Sequence, residues 1–141
     1  MTSESRRLAG ILMIVLPTVA IGGVSILTLL INDPAYAENE LRQDLWRAGH
    51  AHAGVLLLLA LILLRYVDEM AFSKGWKAVA RSAVPTAAIL MPLGFFLSVL
   101  TPDATEPNAM IYFTYAGGLL LMFGLVVNGV GLLKTRAPAG E

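Results

Sequence analysis

Apolar residues in this chain gather into four long runs, at about 8–31, 45–66, 79–100 and 109–133, with short polar connections between them. A helix needs roughly 20 mostly apolar residues to cross about 30 Å of hydrocarbon. The pattern therefore predicts an all-α integral membrane four-helix bundle, a single transmembrane domain spanning residues 1–141. Arg6 and Arg7 precede the first run, Arg65, Lys74, Lys77 and Arg81 surround the second connection, and Lys134 and Arg136 follow the fourth run. The other two connections hold Asp33, Glu38, Glu40, Asp44, Asp103 and Glu106 against a lone Arg42. Basic residues stay on the cytoplasmic side, so the expected topology is N-in/C-in, in a multi-pass protein of the cell membrane, the bacterial inner membrane.

The first run invites a rival reading, because "SESRRLAG" and a later "AYA" before Glu38 imitate a cleavable leader. The apolar core of a signal peptide is about 7–15 residues, whereas this run is about 24, so the first helix is expected to stay. Pro17 and Pro92 fall inside their spans. Each removes a backbone donor, and a neighbouring hydroxyl such as Thr18 is expected to satisfy one of the freed carbonyls.

The fourth run carries a period of seven: Met110, Gly117, Gly124 and Gly131, with Thr114, Leu121 and Asn128 filling the same seam. Lipid supplies no hydrophobic drive for helices to associate, so close approach at small residues and interhelical hydrogen bonds must hold them together. The seam should face either the other helices or a second copy of the chain. Asn128 is expected to bond across a helix interface.

Composition agrees with the pattern. Of 141 residues 57% are hydrophobic and 14% charged, and the mean hydropathy is +0.72, well beyond the roughly 45–50% apolar and 25% charged of soluble domains. Ten basic and ten acidic residues cancel, so no nucleic acid is expected as a partner. The chain lacks cysteine, which excludes disulfides and thiolate chemistry. The glycines of "YAGGLLLMFG" lie within a span and serve packing, not phosphate binding. With no nucleophile–base pair recognisable by spacing, the chain is not expected to be an enzyme on its own.

The candidate chemistry lies in "LWRAGHAHAGVLLLLALILL". Trp46 is the expected interfacial anchor, and His50 and His52 lie roughly 6–9 Å deeper at about 1.5 Å per residue. Residues two apart on an α-helix diverge by about 200°, so the two imidazoles should address different surroundings. Arg47 is expected to reach headgroups, pair with Asp44, or meet a bound anionic group. The small neighbours Ala48, Gly49, Ala51, Ala53 and Gly54 leave space for another helix or a flat ligand. Ser25, Thr28, Ser98, Thr101, Tyr112, Thr114 and Tyr115 fall at a similar depth, so a polar outer half, a vestibule closed below by aliphatic residues, is expected around them.

Four readings of the histidines stay open at this point. They could pack and hydrogen-bond within a non-enzymatic subunit, ligate a haem whose propionates meet Arg47, or hold a copper, iron or zinc ion with carboxylates such as Asp33, Glu38, Asp103 or Glu106. They could also carry protons in an oligomeric pathway for protons or small solutes. "GHAHAG" resembles one helix of the haem–copper oxidase catalytic subunit, whose His-x-His pair ligates two haems on opposite sides. That resemblance implies haem as cofactor and electron transport as role. The chain is far shorter than that subunit and has no further histidine, so missing ligands would come from another chain, water, or a methionine such as Met13, Met91 or Met110, which ordinarily only pack. The whole chain also looks like small four-helix bacterial membrane proteins that carry such a pair, a likeness that implies no activity. The reading taken forward is a membrane haem protein, a homo-oligomer or a subunit of a larger complex in the bilayer. Its cofactor-binding residues would be His50, His52, Arg47, Tyr112 and Tyr115, and its metal ligands His50 and His52.

Overall fold

The computed structural model describes residues 1–135 and is built from helices joined by short turns. The helices are α1 (Ser3–Asn32), α2 (Pro34–Ala37), α3 (Glu40–Tyr66), α4 (Lys74–Ser98) and α5 (Ile111–Lys134), and α3 runs on into a 3₁₀ turn at Val67–Glu69. Four of them, α1, α3, α4 and α5, are long and apolar enough to cross a membrane. Their starts follow capping chemistry. Thr2, Asp33, Asn39 and Ser73 each accept a hydrogen bond from a backbone N–H in the first turn of the helix that follows, which satisfies a donor the helix cannot use. Asn39 sets the beginning of α3 five residues ahead of the apolar run, so the acidic segment Glu40–Asp44 is already helical.

The helices pack in chain order. The main interfaces join α1 to α3, α3 to α4 and α4 to α5, so the expected bundle takes the form of a row in which α4 is the most enclosed and α1 the least. Leu8, Ala9, Leu12, Leu16 and Val19 turn one stripe of α1 onto the buried cluster of α3 around Leu56, Leu57, Ala60 and Leu64. On its other side α3 meets α4, with Gly49 against Phe95 and Phe96, and Ala80, Val84, Ala88 and Met91 of α4 belong to the same buried cluster.

The seven-residue seam of α5 lies on α4. A Cβ on Gly124 would fall 2.9 Å from the Ala83 Cβ, and one on Gly131 would fall 2.7 Å from both Met70 Sδ and Phe72 Cε2. Gly94 of α4 answers from the opposite side, where a Cβ would overlap Thr114. Thr114 donates to the Met91 carbonyl at 3.2 Å and Asn128 to the Ala80 carbonyl at 3.1 Å. These are the interhelical bonds expected at close-packed apolar interfaces.

Prolines sit at positions 17, 85 and 92 of the helices. Pro17 frees the Met13 carbonyl, but Thr18 donates instead to Val15 at 2.7 Å. The expected rescue by Thr18 is therefore not made, because its hydroxyl reaches back three residues and the freed carbonyl is five away.

At one end the first residues of α1 are tied to the turn after α3 and to the start of α4. Asp68 accepts from the Thr2 N–H at 2.7 Å, from the Thr2 and Ser5 hydroxyls at 3.0 Å each, and from Arg81 Nη2 at 3.1 Å. Arg81 also bonds Ser5 and pairs with Glu4. Thr135 bonds Ala71 and Glu69 at the same end, so the two ends of the described chain lie together, with Arg6, Arg7, Arg65, Lys74, Lys77, Arg81 and Lys134. The acidic connections form the opposite end. Arg136 lies outside the described residues.

Two predictions follow from this packing. Gly124→Val should destabilise the folded protein in detergent by about 1–3 kcal/mol through overpacking, whereas Gly118→Val, which meets open space, should change stability by less than about 0.5 kcal/mol. Thermal or denaturant unfolding of both variants checks this. Burial alone would raise the Asp68 carboxyl, but the Thr2 N–H, the Ser5 and Thr2 hydroxyls and the Arg81 guanidinium hold it down at about 2. A carboxylate lowered in the folded state contributes stability above its unfolded pKa of about 3.9, and that contribution fades as pH falls toward the folded value. Asp68→Asn should therefore lower stability at neutral pH and flatten its dependence between about pH 4 and 2, as read from unfolding midpoints across that range.

Candidate functional site

The segment that precedes α3 builds the frame for the histidines. Pro34 starts α2 in a preset helical conformation, which suits a first helical position. The short helix carries Tyr36 inward until it is fully buried. Gln43, one turn into α3, donates to the Tyr36 and Ala37 carbonyls and fastens α2 down. Arg42 is only 5% exposed, with Nε donating to the Val99 carbonyl at 3.2 Å. Its guanidinium carbon lies 4.9 Å from the Trp46 ring centre and 5.6 Å from that of Tyr36. Two aromatic faces thus stand where a carboxylate would be expected, a pairing worth about 2 kcal/mol once desolvated. Arg42 Nη1 and the Tyr36 hydroxyl have no hydrogen-bond partner among the described residues. Burial pushes the Tyr36 phenol up, against the pull of Arg47 and Arg42.

Trp46 closes this cap. Its Nε1 donates to the Phe96 carbonyl at 3.2 Å and its ring packs on Tyr36 and Phe96. The expected interfacial anchor is thus committed to contacts within the chain, because α2 and the end of α4 offer it aromatic partners. Arg47 is exposed and donates to Gln43 Oε1 at 2.8 Å. Its expected pair with Asp44 is not among the ion pairs of the described residues. Gln43 is the i−4 neighbour and captures it first.

One turn further, the imidazoles diverge as the helical geometry requires. His50 turns to α1, where a Cβ on Gly23 would fall 3.0 Å from the ring Cε1 and 3.1 Å from Nε2, and one on Gly22 3.8 Å from Nδ1. Two glycines in succession make this seat. His52 turns toward α4 and packs on Phe95 with ring centres 5.2 Å apart. Its Nδ1 lies 2.7 Å from the Ala48 carbonyl. A carbonyl only accepts, so in the neutral ring Nδ1 carries the proton and Nε2 keeps a lone pair. Both rings are half-buried, and no hydrogen bond to another described residue engages His50.

The remaining candidates do not join them. Tyr112 and Tyr115 are 69% and 60% exposed and pack edge-on against each other on α5, the helix that lies against α4 and not α3. Ser25, Thr28 and Ser98 bond carbonyls of their own helices, and Thr114 serves the α4–α5 seam. The hollows at the acidic end, beside Trp76 and at the Asp68 cluster have neither histidine in their walls. No group of three or more His, Asp or Glu side chains among the described residues is arranged to hold a metal ion. The small-ion reading of His50 and His52 with Asp33, Glu38, Asp103 or Glu106 is therefore not supported within one chain, since those carboxylates stay in the acidic connections while the rings lie further along α3.

Comparison with protein families, with curated proteins and with solved structures finds no match.

Arg42 is the residue that the sequence understates. It reads as a lone base among acids, yet it pins α2, α3 and the end of α4 together. Arg42→Gln should cost about 2 kcal/mol or more by stranding the Tyr36 and Trp46 faces, and Arg47→Gln less than about 0.5 kcal/mol as an exposed side chain. Unfolding midpoints of the two variants, measured side by side, test that order.

Proposed function

We propose that this protein is a multi-pass membrane protein with its basic end in the cytoplasm, and that a haem would be held between this chain and another by an imidazole of α3, His52 being the one whose free nitrogen has a fixed direction. In this reading it is an electron-transfer protein or an accessory subunit of a membrane redox system. The observation that carries the reading is the state of the two rings. They point to opposite sides of one helix, His52 is oriented by the Ala48 carbonyl with Nε2 left to ligate, and His50 has no hydrogen-bond partner among the described residues. An imidazole held by a carbonyl through its other nitrogen is the ordinary arrangement of a ligating histidine. Polar rings within an apolar span carry a cost that a bound group offsets.

The chain's own residues divide the remaining work. Arg47 lies one turn before His50 on the exposed side, where a guanidinium would meet carboxylates at the outer edge. Phe95 covers one side of the His52 ring. A haem would supply one-electron chemistry, with its potential tuned by the axial ligands and by burial. Tyr112 and Tyr115 lie too far along the row to serve the same group, and would take part only through a second chain.

A second reading is favoured by Gly22 and Gly23. The fit of His50 against that seat suits a packing residue in a non-enzymatic membrane subunit.

The protein purified from haem-sufficient cells should show a Soret band that shifts on reduction with dithionite, and His52→Gln should diminish it. Absence of the band, with no spectral change on adding haemin, would sink the haem reading. If the double variant His50→Gln and His52→Gln then assembles normally, the packing reading stands.

A further inference from the structure

A second site lies at the basic end, away from the histidines. Phe72, Trp76, Val126, Val127, Val130 and Lys134 line a hollow of about 310 Å³ between the start of α4 and the last turns of α5. Its floor is apolar, formed by Val127 at 8% exposure with the more open Val126 and Val130 beside it. Phe72 and Trp76 form an aromatic wall with ring centres 6.2 Å apart. Gly131 makes that wall: a Cβ there would fall 2.7 Å from Phe72 Cε2, so only a glycine lets the ring lie this close to α5. Lys134, exposed in the last turn of α5, stands at the rim.

The parts have a polarity. Val130 and Val126 lie about 6 and 12 Å from Lys134 along the helix axis, running from the basic end toward the middle of the span. An amphiphile with a negative head and an apolar tail matches this order. A soluble anion would leave the valine floor uncovered, and an uncharged apolar molecule would leave Lys134 without a partner in the groove. Half-exposed Trp76 fits the interfacial depth that such a head occupies. A zwitterionic lipid brings its own cation to Lys134 and loses the attraction.

We propose that this groove binds one anionic phospholipid, its phosphate at Lys134 and an acyl chain along Val130, Val127 and Val126 under Trp76. The site rests on the membrane reading above and is independent of the haem.

The chain has two tryptophans, so Trp46→Phe leaves Trp76 as the only indole. In nanodiscs, brominated phosphatidylglycerol should quench Trp76 about fivefold more effectively than brominated phosphatidylcholine at the same low mole fraction, the preference one lysine gives near a surface. Lys134→Gln should bring the ratio close to one. Equal quenching by both lipids in the parent, or an undiminished preference in Lys134→Gln, overturns the site. Failure to enter nanodiscs, or no quenching by either lipid, overturns the membrane reading together with it. Because Trp46 belongs to the acidic-end cap, native mass spectrometry of the otherwise unsubstituted protein serves as the second measurement. Retained anionic lipid should fall about fivefold in Lys134→Gln, and unchanged retention counts against the site.

Discussion

The approach of α4 to α5 is the constraint on which the rest of the arrangement depends. In the proposed bilayer setting, helices this apolar gain little from hiding more hydrocarbon, so they associate where backbones come close enough for dense packing and a few hydrogen bonds. Gly94, Gly117, Gly124 and Gly131 permit that approach; Thr114 and Asn128 lock it by donating to Met91 and Ala80 across the interface. With one side of α4 taken by α5 and another by α3, α1 packs chiefly on α3 and reaches α4 through Arg81 at the basic end. The row is thus a consequence of which helix carries the small residues. The same order separates the tyrosines of α5 from the histidines of α3.

The two ends of the row are held differently, and the difference follows charge. At the basic end a carboxylate, two hydroxyls and a guanidinium satisfy one another, and Asp68 accepts from Thr2, Ser5 and Arg81 together. At the acidic end Arg42 has aromatic faces as partners, although carboxylates are plentiful in the same connections. Glu38, Glu40 and Asp44 remain outside, because bringing one inward would desolvate a second charge, whereas Tyr36 and Trp46 were to be buried in any case. A surface rich in acids around a buried cation keeps the local balance without a buried ion pair.

The four long helices, the seven-residue seam and Asn128 were legible because each depends on neighbours along one helix. So was the divergence of His50 and His52, which is a matter of helical angle alone. The two polar clusters were hidden because their partners are far apart in sequence: Thr2 with Asp68, Ser5 with Arg81, Arg42 with Val99. Arg42 and Trp46 do share a face four residues apart, which was the available signal. The polar outer half was misjudged for a related reason. Hydroxyls at 25, 28 and 98 suggested a vestibule, but serine and threonine in a helix readily donate to a carbonyl three or four residues back. Their polarity is thereby spent within their own helices.

That spending is what sets the histidines apart, and it also makes them unequal. His52 has one nitrogen fixed by a backbone acceptor, so its other nitrogen has a defined direction without help from α1. His50 is placed by contact alone, with its ring filling the space that Gly22 and Gly23 leave on α1. A group approaching His50 from that side must displace α1, the least enclosed helix of the row, and break the stripe that Leu12 and Val19 make with α3. A group approaching His52 meets the Phe95 ring that packs on it. If the two rings have different partners, the one at His52 is met without moving α1, while engagement of His50 is coupled to where α1 lies. On this geometry α1 is the element through which occupancy of one histidine would be felt at the other end of the molecule, since its first residues are the ones that Asp68 and Arg81 hold.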